Sequence, residues 1–218
     1  MKIKWYGHSS FLITGDNGTK IITDPYEAGG YDGAIGYHPI NDTADAVLCS
    51  HNHRDHGHSE GVPGEFKLID SADKFSVNGI NIEGIEAHHD KQGGAERGKI
   101  IIFKMTVDDV TVCHLGDLGH EIDEELAGKI KPVDVLLIPI GGIFTIDSQE
   151  ADKVIQSILP RITIPMHYKT DKCGFPLARI DEFVDRKRNI SLMATSEITI
   201  TKGTLPKRPM IMLLDHAL

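Results

Sequence analysis

The chain is poor in cysteine and tryptophan, with three of the first and one of the second in 218 residues. Cys49, Cys113 and Cys173 form no Cys-x-x-Cys pair, so no disulfide framework is expected and the thiols read as reduced, as in a cytoplasm. Positive charge is also in short supply. A net charge of −9 leaves no basic stripe to neutralise phosphates, which counts against a protein that coats nucleic acid. The one dense basic run, Arg186-Lys187-Arg188, reads as the end of a helix. No stretch approaches the ~18 apolar residues that span a membrane. Met1-Lys2-Ile3-Lys4-Trp5 alternates like a strand and lacks the continuous apolar run of a signal peptide. Linkers rich in Pro, Gly or Ser are missing, so one domain over residues 1–218 is expected. Hydrophobic content of 40% and charged content of 25% are those of an ordinary globular enzyme with a sizeable core.

Histidine is plentiful instead, with twelve in the chain. Residues 51 to 56 read His-Asn-His-Arg-Asp-His, four metal-ligand side chains within six positions. Neutral imidazole and carboxylate suit Zn²⁺, Mn²⁺, Fe or Ni. The preceding Ala46-Val47-Leu48-Cys49-Ser50 is apolar and β-prone, so the cluster lies where a buried strand ends. In an extended stretch i and i+2 point the same way, so His51 and His53 can pinch one metal. Asp55 and His56 begin the next turn and can face a second.

Strands are expected over Ile3 to Tyr6, Ser10 to Thr14 and Lys20 to Thr23, with Gly15-Asp16-Asn17-Gly18 as a hairpin turn. More follow at Ala46 to Ser50, Phe66 to Asp70, Ile80 to Ala87, Ile100 to Val107 and Val110 to Leu115. Asp108-Asp109 marks the turn between the last two. Beyond Gly119 helices and strands alternate. Helices are expected over Glu121 to Ile130, over Asp147 to Leu159 with Thr145 or Asp147 as cap, and over Leu177 to Lys187. Buried strands are expected at Val133 to Ile138 and Ile162 to Pro165, and further strands near Ile190 to Met193 and Glu197 to Thr201. Two sheets with helices outside make a four-layer αββα sandwich of the α/β class.

Other metal-binding residue types gather at the ends of predicted strands. Asp24 follows Ile21-Ile22-Thr23, and His88-His89-Asp90 follows Ala87. His114-Leu115-Gly116-Asp117 ends another strand, and His167 follows Ile162-Thr163-Ile164-Pro165-Met166. A site assembled from strand-end loops is held rigidly and stays open to substrate.

With these residues in hand, the chain resembles the metallo-β-lactamase superfamily along nearly its whole length. Ile22-Thr23-Asp24-Pro25, Ser50 through His56, His89, Leu115-Gly116-Asp117 and His167 are similar, in order, to that family's five motifs. The resemblance implies the metallo-β-lactamase type of sandwich and two divalent metal ions, Zn²⁺ first among the candidates. It implies His51, His53 and His89 on one ion and Asp55, His56 and His167 on the other, with Asp117 bridging both. Asp24 would orient a ligand or the loop. His89 is preferred over His88 because the family's ligand commonly precedes an Asp, as Asp90 does here. Within the superfamily the chain looks most like small stand-alone hydrolases related to L-ascorbate-6-phosphate lactonase. Gly7-His8-Ser9-Ser10-Phe11, Gly116 through His120, Ile138 through Gly142 and Pro165 through Thr170 carry that likeness.

The implied chemistry is hydrolysis of a small ester, lactone or phosphoester by a metal-activated hydroxide. Asp55 or Asp117 would handle the proton, and His120 would donate to the leaving group. His8 and His114 are spare histidines near the site, and Tyr168 or Lys169 would meet an anionic substrate group. Two alternatives stand beside this reading: a phosphodiesterase acting on a nucleotide or nucleic acid, disfavoured by the acidity, and a non-catalytic metal-binding protein. The expected partner is a small molecule, not a membrane, and a homo-oligomer is compatible with the sequence.

Overall fold

The computed structural model describes residues 1–185 and 187–218. Its first sheet holds β1 (Lys2–Gly7), β2 (Ser10–Thr14), β3 (Lys20–Thr23), β4 (Ala46–Leu48), β5 (Lys67–Ile69) and β13 (Glu197–Thr199) in the order β13-β1-β2-β3-β4-β5. The second holds β6 (Lys74–Val77), β7 (Ile80–His88), β8 (Lys99–Val107), β9 (Val110–His114), β10 (Val135–Pro139), β11 (Ile162–Met166), β12 (Ile190–Leu192) and β14 (Met210–Leu213), ordered β12-β14-β11-β10-β9-β8-β7-β6. Helical segments are α1 (Gly30–Gly33), α2 (Glu124–Ile130), α3 (Ser148–Ile158) and α4 (Ile180–Val184).

Alternation of side chains builds the layers. In β2 to β4, Phe11, Ile13, Ile21, Ala46 and Leu48 join the core shared with the second sheet. Their neighbours Leu12, Ile22 and Val47 face the other way, into a cluster with Tyr26, Ile35, Tyr37 and Ile40. The first sheet is therefore buried on both faces. β10 and β11 are buried throughout, as parallel strands covered on both sides require. Ile130, Val154, Ile158 and Phe183 of α2, α3 and α4 supply part of that cover. The αββα sandwich is thus the architecture, with an uneven helical layer. Over the first sheet it shrinks to α1, a short 3-10 turn at Ser59–Gly61 and loops.

Several elements depart from expectation. α2 starts at Glu124 because Asp123 caps it, its carboxylate accepting from Leu126 N at 2.8 Å. α3 is capped by Asp147 through a capping box with Glu150. α4 is shorter than the expected Leu177 to Lys187, since Ala178 N donates to Gly141 O and Ala178 O accepts from Lys169 N, which commits that stretch to loop pairing. The basic run expected to end this helix begins at Arg186, which lies outside the described residues. β6 and β14 were not anticipated. β6 pairs with β7 across Asn78-Gly79, whose left-handed φ values of 47° and 89° are those of a tight hairpin turn. No helix of the described residues is long and apolar enough to cross a membrane.

Strand direction decides where the loops go. β1 and β3 are both antiparallel to β2, and β4 is parallel to β3. β7 and β9 are both antiparallel to β8, while β10 is parallel to β9 and to β11. The residues after β1, β3, β4, β7, β9 and β11 consequently emerge on one rim. Leu137 of β10 is fully buried in the core beneath that rim. Leu137→Ala should cost about 2–5 kcal/mol of stability through the cavity it leaves, to be read from urea unfolding midpoints.

Candidate metal centre

Each loop on the rim delivers a polar side chain. His8 follows β1 and Asp24 follows β3, both at left-handed φ (51° and 41°) and both fully buried. Such a backbone is strained for a residue with a Cβ and turns the side chain out of the strand's path. His167, after β11, does the same at φ 51°. Asp117, after β9, is reached through Gly116 at φ 52°, and a Cβ there would lie 2.7 Å from the Ser50 side chain.

Asp24 braces the His51–His56 loop from beneath. Its carboxylate accepts from Ser50 N and Ser50 Oγ, each at 2.7 Å, and from His56 Nδ1 at 2.8 Å. Donation from Nδ1 leaves the Nε2 lone pair of His56 aimed into the site. Ser50 Oγ also lies 2.9 Å from His51 Nδ1. His114 is a clamp: Nε2 donates to Ser9 O at 2.8 Å and Nδ1 accepts from Gly116 N at 3.1 Å. That fixes one neutral tautomer and ties β2 to the loop carrying Asp117.

Asp117 occupies the centre. Its carboxylate oxygens lie 3.1 Å from His56 Nε2, 3.4 Å from His89 Nε2, 3.5 Å from His167 Nε2 and 3.9 Å from His51 Nε2. Around it the ligand atoms of His51, His53 and His89 lie within 4.8 Å of one another, and so do those of Asp55, His56, His167 and His8. The structure therefore brings together every residue of the two expected ligand sets. His8, a spare histidine by sequence, joins the second: its Nε2 is 3.2 Å from Asp55 Oδ2 and its ring 4.1 Å from that of His167. Tyr31 OH donates to the other oxygen of Asp55 at 3.2 Å. Burial and the Asp55 charge keep that hydroxyl protonated, with its pKa raised to about 12.

The donor set fits cations. His56 Nε2 and Asp117 Oδ1, at the centre, are buried without a hydrogen-bond partner, and buried polar groups seldom stay unpaired. Burial pushes His51 and His167 down to about 3, which keeps both imidazoles neutral with lone pairs free to bind metal. Burial resists protonation of His56 too, but Asp117 and Asp55 beside it prevail and raise its pKa well above the usual range. The carboxylates call for positive charge there, which divalent ions would supply.

Three expectations fail on position. His120 is turned away from the cleft: its Nε2 accepts from His88 N at 3.3 Å, its Nδ1 donates to Glu121 O, and it shares a separate depression with His88 and Asp123. His88 and His89 alternate at the end of β7, so His88 packs on His120, 5.5 Å between rings, while His89 enters the site. Tyr168 is buried against Trp5, 5.4 Å between rings, and Lys169 Nζ donates to Phe175 O at 2.9 Å. Neither Tyr168 nor Lys169 lines the cleft above Asp117, whose walls are Tyr31, Glu96, Arg97, Phe144 and Phe175. No sequence pattern marks these five. They come from loops, where the facing of a side chain cannot be read from periodicity.

Asp90 has its own task. One oxygen accepts from Gln92 N and Gly94 N, the other from Glu96 N and Arg97 N, all at 2.8–3.0 Å. Those backbone donors hold its carboxyl well below the usual range. The loop after His89 is folded around this one side chain. Asp90→Ala should therefore speed hydrogen exchange at the amides of Gln92, Gly94, Glu96 and Arg97, resolved by NMR, while amides within β7 and β8 keep their protection.

Known proteins share the family and the fold. Residues 2–167 match the family model of the beta-lactamase superfamily domain. The chain is 31% identical to a UPF0173 metal-dependent hydrolase of Pyrobaculum arsenaticum, over 93% of this chain and 97% of the relative. It is 33% identical to another from Carboxydothermus hydrogenoformans, over 88% and 94%. A solved structure of a metallo-β-lactamase superfamily protein from Thermotoga maritima superposes with a TM-score of 0.80 at 33% identity, covering 98% of this chain and 97% of that one.

Proposed function

The chain belongs to the metallo-β-lactamase superfamily, in its UPF0173 family, and on that premise we propose that it is a dinuclear metal-dependent hydrolase of a small ester, lactone or phosphoester. In this reading His51, His53 and His89 would hold one ion and Asp55, His56 and His167 the other, with Asp117 within reach of both. Zn²⁺ suits this set of imidazoles and carboxylates best, with Mn²⁺, Fe and Ni within its range. The observation that carries the proposal is the Asp117 carboxylate, buried among imidazoles of both sets. When bound, the ions supply an activated water at neutral pH and polarise the oxygen of the scissile group.

The protein's own residues do the rest. Asp24 fixes the His56 tautomer, and Asp117 keeps two mutually repelling cations together. Asp55, gripped by His8 on one oxygen and Tyr31 on the other, lines the cleft with Asp117, and either carboxylate would handle the proton. His8 is the positioning residue of Asp55, since a carboxylate held by hydrogen bonds keeps one orientation. Three free, buried cysteines support a reducing, cytoplasmic setting for the enzyme.

Elemental analysis should find two divalent ions per chain, and a panel of lactones, aryl esters and phosphoesters should show turnover that a chelator abolishes. A protein that binds metal and turns over nothing in the panel would be a binding protein instead. Asp117→Asn keeps the size and removes the charge. It should retain at most one ion and lose kcat by orders of magnitude. Normal occupancy and rate in that variant would remove the bridge. Chelation should also lower the melting temperature, because it strands the buried carboxylates without counter-charge. His89→Ala should lose metal, whereas His88→Ala should keep both ions.

A further inference from the structure

The cleft above Asp117 has a volume of about 470 Å³ and is walled on one side by aromatic rings. Phe175 meets Tyr31 edge-on at 5.3 Å and Phe144 edge-on at 5.7 Å. None of the three is buried, and Tyr31 is 38% exposed. Half-exposed rings beside a polar floor gain from any flat apolar group laid against them.

Arg97 stands at the same wall. Its guanidinium carbon lies 5.7 Å from the centroid of the Phe144 ring. A guanidinium stacked on a ring keeps its edge free, and that edge is a fork of donors matched to an oxyanion. Among the described residues the Arg97 fork makes no hydrogen bond, and its nearest carboxylate, Glu96, stays at 3.9 Å. Arg54, by contrast, is saturated by both oxygens of Glu27 at 2.5 and 2.8 Å. Arg97 is also held in place. Asp90 grips its backbone N–H at 2.8 Å, and Asp90 directly follows His89, which enters the metal centre. Two residues thus set the register between the reacting end of the cleft and a guanidinium that Glu96, on the same wall, pairs only loosely and without a hydrogen bond.

We propose that Arg97 is the recognition residue of this site, and that the substrate is a small molecule combining a flat apolar or aromatic group with an oxyanion, carboxylate or phosphate, distinct from the bond that is cleaved. The oxyanion takes the Arg97 fork, the apolar part lies on Phe144 and Phe175, and the scissile group reaches Asp117. This deepens the hydrolase reading and rests on it for the word substrate, but the recognition itself is measurable without turnover.

The test is calorimetric titration of the metal-loaded full chain with benzoate, phenyl phosphate, acetate and phenol, using wild type, Arg97→Met and Phe144→Ala. Benzoate or phenyl phosphate should bind at least about tenfold more tightly than phenol, and Arg97→Met should erase that difference. The better of the two anions identifies the oxyanion. Phe144→Ala should weaken benzoate more than it weakens acetate. The proposal falls if wild type binds neither anion, if phenol matches them, or if Arg97→Met binds both as wild type does, since the metals alone would then hold them. In parallel, 4-carboxyphenyl acetate should exceed phenyl acetate in kcat/KM for wild type, with the ratio near one in Arg97→Met. Hydrolysis of both esters at equal efficiency sinks the recognition and leaves the hydrolase standing. Arg97-dependent anion binding without any turnover does the reverse.

Discussion

Asp24, Asp55 and Asp117 are all buried at one rim of the sandwich, and that concentration of negative charge is the constraint around which the rest is arranged. An unpaired buried carboxylate costs several kcal/mol even after relaxation. Asp24 escapes that cost through donors from Ser50 and His56. Asp55 and Asp117 have fewer donors; of the imidazoles around Asp117, burial lowers the proton affinity of His51, His89 and His167, while the carboxylates raise that of His56. Divalent ions bound there would supply the positive charge that the two carboxylates call for. Metal binding and the stability of the rim are therefore one property. The strained backbones of His8, Asp24 and His167 are part of its cost, set against packing in the two sheets below.

Much of this was legible before any coordinates. The His51 to His56 cluster is local, so its chemistry shows in a six-residue window. Asp24, Asp117 and His167 each end a run of apolar β-prone residues, and parallel strands bring such ends to one edge. The same alternation that splits Leu12 from Phe11 and Ile13 between two apolar clusters made the strands readable. Legibility stopped where facing is decided by tertiary contacts. His120 sits two residues beyond a site loop yet turns to the backbone of His88. Lys169 lies two residues past His167, and its ammonium is spent on the Phe175 carbonyl. Arg97 carried no local signal at all, because its position depends on the four-fold grip of Asp90 on the preceding loop. β14 escaped notice because it inserts in parallel between β11 and β12, a pairing no nearby turn announces.

The division between floor and wall follows from how each is held. The floor is made of strand-end residues whose backbones belong to the sheets, so their geometry is inherited from the core. The wall is made of side chains on loops. Tyr31 belongs to the left-handed turn of α1, Phe144 follows Gly142, and Phe175 lies in the stretch that Ala34 anchors through Gly174 N at 2.7 Å. Such loops can change residue by residue without disturbing the metal centre. That arrangement leaves the wall free to vary while the floor stays fixed by the sheets.

Contacts at Tyr31 and Asp90, besides the His8 ring 6.0 Å from that of Phe175, join floor to wall and decide how independent the two can be. Tyr31 touches Asp55 through its hydroxyl and Phe175 through its ring, so a ligand that shifts the aromatic wall also pulls on a residue of the second ligand set. Asp90 joins the other side, one residue from His89 and one hydrogen bond from Arg97. Gly119 completes that side, since a Cβ there would collide with the His89 carbonyl and the Asp90 amide. The loop bearing Asp117 and the end of β7 therefore pack backbone to backbone, with no side chain between them to give way. A bound oxyanion on Arg97 would thereby be registered to the Asp117 centre through the Asp90 carboxylate and the main chain on either side of it. A short and stiff linkage of this kind can hold a small substrate's scissile group over the reacting end, because misplacement by even about 1 Å is costly in rate.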